Sequence, residues 1–191
     1  MDTKLIKQLR QSTGAGWLAC QQALAESKQD ASKAIEILRK KGKKIVAIKK
    51  SRQTKEGKIG FYLHNDSKIA ALVMVNCETD FVAKNKEFIN LTHDLAMQIV
   101  ATNPQYLDIK DVPKEIIEKE KEIYRQDLKK KPTDIQEKII TGKLKKFYSE
   151  ICLLEQPFIK DSQQTITDLL TVYISRFKEN IKITKFIRWE I

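Results

Sequence analysis

Between Asn76 and Asn85 the chain reads Asn-Cys-Glu-Thr-Asp-Phe-Val-Ala-Lys-Asn, a stretch where side chains of different chemistry crowd together. Thr79, Asp80 and Phe81 set a hydroxyl, a carboxylate and an aromatic ring on consecutive residues. That set can grip another surface, a polar contact beside a large apolar one, but it lacks the parts for covalent chemistry. The sequence contains no Gly-rich loop ending in Lys-Ser or Lys-Thr to cradle phosphates. It also has no nucleophile with a base at telling spacing. Cys20, Cys77 and Cys152 stand far apart and are odd in number, which suits neither a metal cluster nor a disulfide framework. They read as small buried apolar groups in a reducing compartment. His64 falls among turn residues and His93 within a helical pattern, each without a nearby Cys or His to share a metal. The chemistry on offer is recognition.

Such a trio needs a rigid base. Before it, Ile69-Ala-Ala-Leu-Val-Met-Val75 is short, aliphatic and uncharged, as a buried strand is; after it, Phe88, Ile89, Leu91, Leu95, Ala96, Ile99 and Val100 recur at helical spacing. Thr79-Asp80 therefore falls where a strand passes into a helix, a place that presents polar groups on fixed backbone. Spacing leaves two readings open. Asp80 caps the helix with Phe81 packed beneath it, or the pair is displayed to a partner.

The flanking chain supplies the rest of the frame. Leu5, Ile6 and Leu9 share one face of a short helix that stops at Thr13-Gly14-Ala15-Gly16. Trp17-Leu18 open a second helix, with Ala23 and Leu24 inward. Asp30 can cap a third, whose Ala31, Ala34, Ile35 and Leu38 form an apolar stripe. Gly42 is expected to end it, with Arg39-Lys40-Lys41 in the last turn, and Lys43 to Arg52 to serve as a basic connector, with a helical form for it left open. Ile59, Phe61 and Leu63 alternate with Lys58, Gly60 and Tyr62 as in a half-buried strand, which turns at His64-Asn65-Asp66-Ser67. Lys114–Lys131 reads as a charged helix broken by Pro132. A second helix, from Ile135 to Ile151 with Gly142 inside it, completes a helical hairpin over about 114–151. A helix over Ile166–Phe177 and a closing strand, with Ile181, Ile183, Ile187, Trp189 and Ile191 alternating, finish the chain. The fold class is α+β: a three-helix module over 1–50 with its basic linker, then a core over 51–191 built on a small antiparallel sheet with packed helices and the hairpin.

At 191 residues there is room for one ordinary domain and a small module. The net charge of +11 favours acidic partners. A basic RNA-binding or ribosome-associated protein is thus the rival reading, although the basic segment lacks interleaved aromatics for base stacking. No signal-peptide block opens the sequence, and the longest apolar run is too short to span a bilayer. A cytoplasmic protein is expected, or one of an organelle after removal of a transit peptide.

Cys77-Glu-Thr-Asp-Phe-Val-Ala-Lys-Asn85, followed by Leu95-Ala-Met-Gln-Ile99, resembles the signature of the translation elongation factor Ts family, nucleotide-exchange factors for the GTPase elongation factor Tu. Leu9 to Leu24, with its Thr13-Gly-Ala-Gly16 turn, resembles that family's ubiquitin-associated-like N-terminal domain, departing from it at Ala19 and Gln21. Leu153 to Asp161 resembles the loop before the family's last helix. Phe186-Ile-Arg-Trp-Glu190 resembles its closing strand, with Trp189 where phenylalanine is usual.

The resemblance implies specific roles. Asp80 and Phe81 would enter between helices of the GTPase domain and disturb the nucleotide's magnesium site, with Thr79 and Val82 supporting them. Arg10, Trp17 and Leu18 would dock the N-terminal module on a GTPase helix. No enzymatic activity, cofactor, metal, membrane or nucleic acid is implied. The length matches the short members, which carry one core copy per chain and pair as homodimers.

Overall fold

Apolar spacing and capping residues set most element boundaries in the computed structural model, which describes residues 3–128 and 132–191 apart from the side chains of Lys43 and Asp127. Helix α1 (Thr3–Thr13) buries Ile6 and Leu9. It ends where Gly14 takes a φ of 64°, a left-handed angle that favours a residue without Cβ, and the Gly14 N–H donates to Arg10 O at 2.9 Å. Helix α2 (Trp17–Glu26) buries Cys20, Ala23 and Leu24. Helix α3 (Ala31–Lys49) is capped by Asp30, whose carboxylate accepts the Lys33 N–H at 3.1 Å. The three helices share a core of Ile6, Leu9, Cys20, Ala23, Leu24, Ala34 and Leu38.

Gly42 does not end α3, contrary to expectation. The helix runs through it to Lys49, so most of the expected basic connector is helical. A mid-helix glycine costs only about 1 kcal/mol. Gly42 is buried, and a Cβ there would stand 3.3 Å from the Thr171 methyl, so the residue serves close approach rather than termination.

Strands β1 (Glu56–Leu63) and β2 (Ile69–Cys77) form a hairpin closed by the His64 N–H donating to Ile69 O at 2.9 Å. Helices α4 (Asp80–Ala83) and α5 (Lys86–Thr102) follow, then α6 (Lys114–Asp127) and α7 (Thr133–Ile151). Strands β3 (Pro157–Phe158) and β4 (Asp161–Thr165), helix α8 (Ile166–Phe177) and strand β5 (Lys182–Glu190) complete the order. The main sheet has strand order β1-β2-β5, and β3 pairs antiparallel with β4. The architecture is α+β.

The chain divides into two compact units, residues 1–60, 74–92 and 168–184 in one, and 61–73, 93–167 and 185–191 in the other. In the first, β1 lies so close to α5 that a Cβ on Gly60 would fall 2.2 Å from Thr92 O. Phe88 of α5 meets Phe177 of α8 edge-on, with ring centroids 6.5 Å apart. In the second, Gln98 is fully buried yet satisfied: its Nε2 donates to Gln156 Oε1 and to Pro157 O, each at 3.2 Å, and its Oε1 accepts the Ile159 N–H at 2.8 Å. Helices α6 and α7 pack through Leu128, Ile140 and Leu144, with Ile117, Tyr124 and Tyr148 alongside. The charged helix expected to reach Lys131 ends at Asp127 with Leu128 as its cap; residues 129–131 lie outside the described residues. No described helix is long and apolar enough to cross a membrane.

The sheet faces differ from a simple count of apolar positions. Gly60 and Tyr62 point toward α5, with the Tyr62 and His93 rings 5.5 Å apart, so Ile59, Phe61 and Leu63 face the other way and are exposed. Strand β5 changes parity. Ile181 and Ile183 are buried, Thr184 and Lys185 are both exposed, and from there Phe186 and Arg188 are the sheltered residues. The Arg188 Nε donates to Val100 O of α5 at 3.3 Å. Ile187, Trp189 and Ile191 are therefore turned outward with Phe61, Leu63 and Leu72.

Candidate functional site

The strand-to-helix junction is built from its ends. Val73, Val75 and Cys77 bury every second residue of β2 and fix the strand's exit, while Phe88 and Leu91 anchor the start of α5. Between them α4 is a single turn of four residues, too short to be stable by itself. Its Val82 and Ala83 are buried, which turns Phe81 outward. Phe81 is 82% exposed. The reading in which it packs beneath a capped helix does not hold, and the N-cap is Thr79, not Asp80.

Asp80 is the first residue of α4, and its Oδ2 accepts from Lys84 Nζ at 2.7 Å. That hydrogen bond holds the Asp80 carboxyl below the usual aspartate range and raises the Lys84 ammonium above its own. The acid is thus ionised at neutral pH beside an exposed aromatic ring. Upstream, burial pushes the Cys77 thiol up to about 11, with the Glu179 carboxylate adding to the effect, so the thiol is neutral and donates to Thr79 O at 3.2 Å. Burial alone would raise Glu78, but the Asn180 N–H and the Arg52 guanidinium outweigh it and hold the carboxyl below its usual range.

The structure brings Thr79, Asp80, Phe81 and Val82 together on this one turn in unequal roles: Phe81 exposed, Asp80 half-buried, Val82 buried, and Thr79 exposed with its hydroxyl bonded to Glu179. Arg10, Trp17 and Leu18 lie on the helices flanking the Thr13–Gly16 turn. All three are exposed, Leu18 at 64%. That turn is pinned by Arg176 of α8, whose Nε donates to Gly14 O at 3.1 Å and whose Nη1 pairs with Glu87.

Sequence reasoning missed Glu179, Asn180 and Arg176. None carries a local signal, because each bonds residues 89 to 162 positions away in the chain. Among the described residues, no group of three or more His, Cys, Asp or Glu is placed to hold a metal ion. What the junction offers chemically is an apolar plug with an ionised acid at its side.

The family model described as Elongation factor TS matches residues 3–191. Elongation factor Ts of Thermodesulfovibrio yellowstonii is 50% identical over 189 residues, covering 98% of this chain and 94% of the relative. Elongation factor Ts of Carboxydothermus hydrogenoformans is 49% identical, covering 99% and 88%. Elongation factor Ts of Thermosipho melanesiensis is 47% identical, covering 100% and 98%.

Proposed function

Because this chain belongs to the elongation factor Ts family, we propose that it promotes release of GDP from the GTPase elongation factor Tu and catalyses no reaction of its own. An exchange factor binds the nucleotide-free GTPase more tightly than the loaded one, and linkage then requires it to loosen nucleotide by the same factor. Asp80 and Phe81 are the wedge in this reading. The ring enters a cleft of the GTPase domain, and the acid beside it disturbs the nucleotide's magnesium site. Thr79 and Val82 hold the wedge in place, while Arg10, Trp17 and Leu18 dock the module formed by residues 1–50.

The observation that carries this reading is Phe81, a phenylalanine exposed at 82% on a turn whose next two residues are buried. Leaving so large an apolar ring in water has no benefit to the isolated chain. Burying it in a partner contributes roughly 1.5–3 kcal/mol, enough for about ten- to hundredfold loosening of nucleotide. Release of fluorescent GDP from elongation factor Tu tests the function. The rate is expected to rise with the concentration of this protein and to saturate, and an unchanged rate refutes it.

Pairing into a homodimer belongs to the same proposal. In the second unit, Phe61, Leu63, Leu72, Ile187, Trp189 and Ile191 expose apolar side chains on the sheet face turned away from α5. A twofold partner would cover them with the same set. A role in translation elongation also implies residence where ribosomes work, in the cytoplasm or an organelle's interior.

A further inference from the structure

We propose that Glu179 is the positioning residue that sets the orientation of the displayed Asp80–Phe81 pair, an inference that rests on the wedge reading above. Glu179 lies two residues beyond α8, after Lys178, whose φ of 59° turns the chain back toward the junction. Its Oε2 accepts the N–H groups of Glu78 and Thr79, both at 3.0 Å, and its Oε1 accepts the Thr79 hydroxyl at 2.6 Å. The clasp is returned from the other side. The Asn180 N–H donates to Glu78 Oε1 at 2.7 Å, and Asn180 Nδ2 donates to Arg52 O at 2.8 Å and to Lys50 O at 3.3 Å. Two consecutive residues of each segment are thus bonded to two of the other, and buried Asn180 ties both to the end of α3.

The consequence lies in the start of α4. The hydroxyl of an N-cap threonine ordinarily accepts from the first turn of its helix. Here it donates to Glu179, and Thr79 makes no side-chain cap bond. Glu179 therefore fixes both the backbone and the rotamer of the residue from which α4 departs. A four-residue helix has no cooperative stability to orient itself, and an exposed ring receives no orientation from packing. Val82 and Ala83 hold the turn from beneath; Glu179 holds its entry. A side chain already ordered in its bound orientation avoids the ordering cost that otherwise opposes association. Glu179 is half-buried with its oxygens occupied, so it acts through Thr79 rather than by touching the partner.

A double-mutant cycle tests this, read as affinity for nucleotide-free elongation factor Tu by calorimetry on the full chain. Glu179→Ala is expected to weaken binding about tenfold, or ~1.4 kcal/mol. In a Phe81→Ala background the same change should cost under about twofold, because no ring remains to be positioned. Glu179→Gln, which keeps an acceptor oxygen for the two amide N–H groups, is expected to regain most of the lost affinity. Should Glu179→Ala fail to fold, Thr79→Val removes the hydroxyl donor alone; it too should weaken binding only where Phe81 is present. Equal losses in both backgrounds, or no loss in either, would overturn the positioning role alone. Wild-type affinity in Phe81→Ala by itself would sink the wedge reading and this role with it.

Discussion

If two chains pair through the outer faces of their main sheets, Phe61→Glu should separate them. The six outward side chains of the second unit range from 38% exposed at Leu72 to 98% at Ile191, with Phe61 at 68%. Full burial of a large apolar side chain contributes roughly 1.5–3 kcal/mol, so what each still exposes is worth about 1–2 kcal/mol. A twofold interface uses every residue twice, which gives on the order of 12–24 kcal/mol from the pair of faces. Association costs roughly 4–15 kcal/mol. The surplus is of the size of a micromolar dissociation constant, about 8 kcal/mol. A glutamate at position 61 places one unpaired carboxylate per copy in that interface, and burying each costs several kcal/mol. Two such charges cancel the surplus. Light scattering at micromolar concentration should give about 44 kDa, twice 22.1 kDa, for the wild type and 22.1 kDa for the variant. Because Phe61 is exposed in the single chain, the variant's own fold should be kept. A wild-type mass of 22.1 kDa across a wide dilution series would refute the pairing.

Phe81→Ala should slow assisted GDP release about ten- to hundredfold, the worth of one buried ring, while thermal melting stays within a few degrees; loss of folding would return Phe81 to the core. Gly60→Ala should destabilise the protein by about 1–3 kcal/mol in urea unfolding, as overpacking does, because the new methyl meets Thr92 O at 2.2 Å. An unchanged midpoint would show that β1 and α5 are not so close. Stability should also fall above pH 9, since burial raises Cys77 and Cys152 from 9.0 to about 11. Between those values the folded chain keeps protons that the unfolded chain has lost. The contribution is fully present below pH 9 and is lost as pH rises through about 11, ~2–3 kcal/mol per thiol. Urea unfolding of Cys77→Ala and Cys152→Ala from pH 8 to 10.5 should show a shallower decline, and a slope equal to wild type would refute the cause.

Local pattern was enough for elements whose ends carry their own stop signals. Helix α8 runs over Ile166–Phe177 as its spacing indicates, and Asp30 caps α3 as its type suggests. Gly42 misleads because a buried glycine can mark either a helix end or a close approach, and the Thr171 methyl that decides between them is far away in sequence. Alternation in β1 separates two faces without saying which one meets α5. The small residue Gly60 turns out to be inward and the large Phe61 outward, the reverse of what side-chain size suggests. In β5 the parity break at Thr184-Lys185 reassigns Ile187, Trp189 and Ile191 to the outer face, and nothing in the local composition announces it. The Thr79–Phe81 motif was legible as a junction. Its clasp by Glu179 was not, since a bond across a hundred residues exists only once the chain has closed on itself.

If the displayed ring is the proposed wedge, what the site can do is limited thermodynamically. On that reading, whatever free energy Phe81 gains on entering a nucleotide-free partner would be withheld when nucleotide and magnesium occupy the cleft, and only that difference would move GDP. One ring supplies about 1.5–3 kcal/mol. Contacts that Arg10, Trp17 and Leu18 would make equally in both states of the partner would raise affinity and add nothing to exchange. The two groups of residues should therefore separate by measurement: substitutions at Trp17 or Leu18 change the protein concentration needed for half-maximal release, whereas those at Phe81 change the maximal rate. Rigidity decides how much of the wedge's share is realised, because a ring that must first be ordered loses part of its gain before it displaces anything. A four-residue turn, seated on Val82 and Ala83 and bonded at its entry, limits that loss without covering the ring.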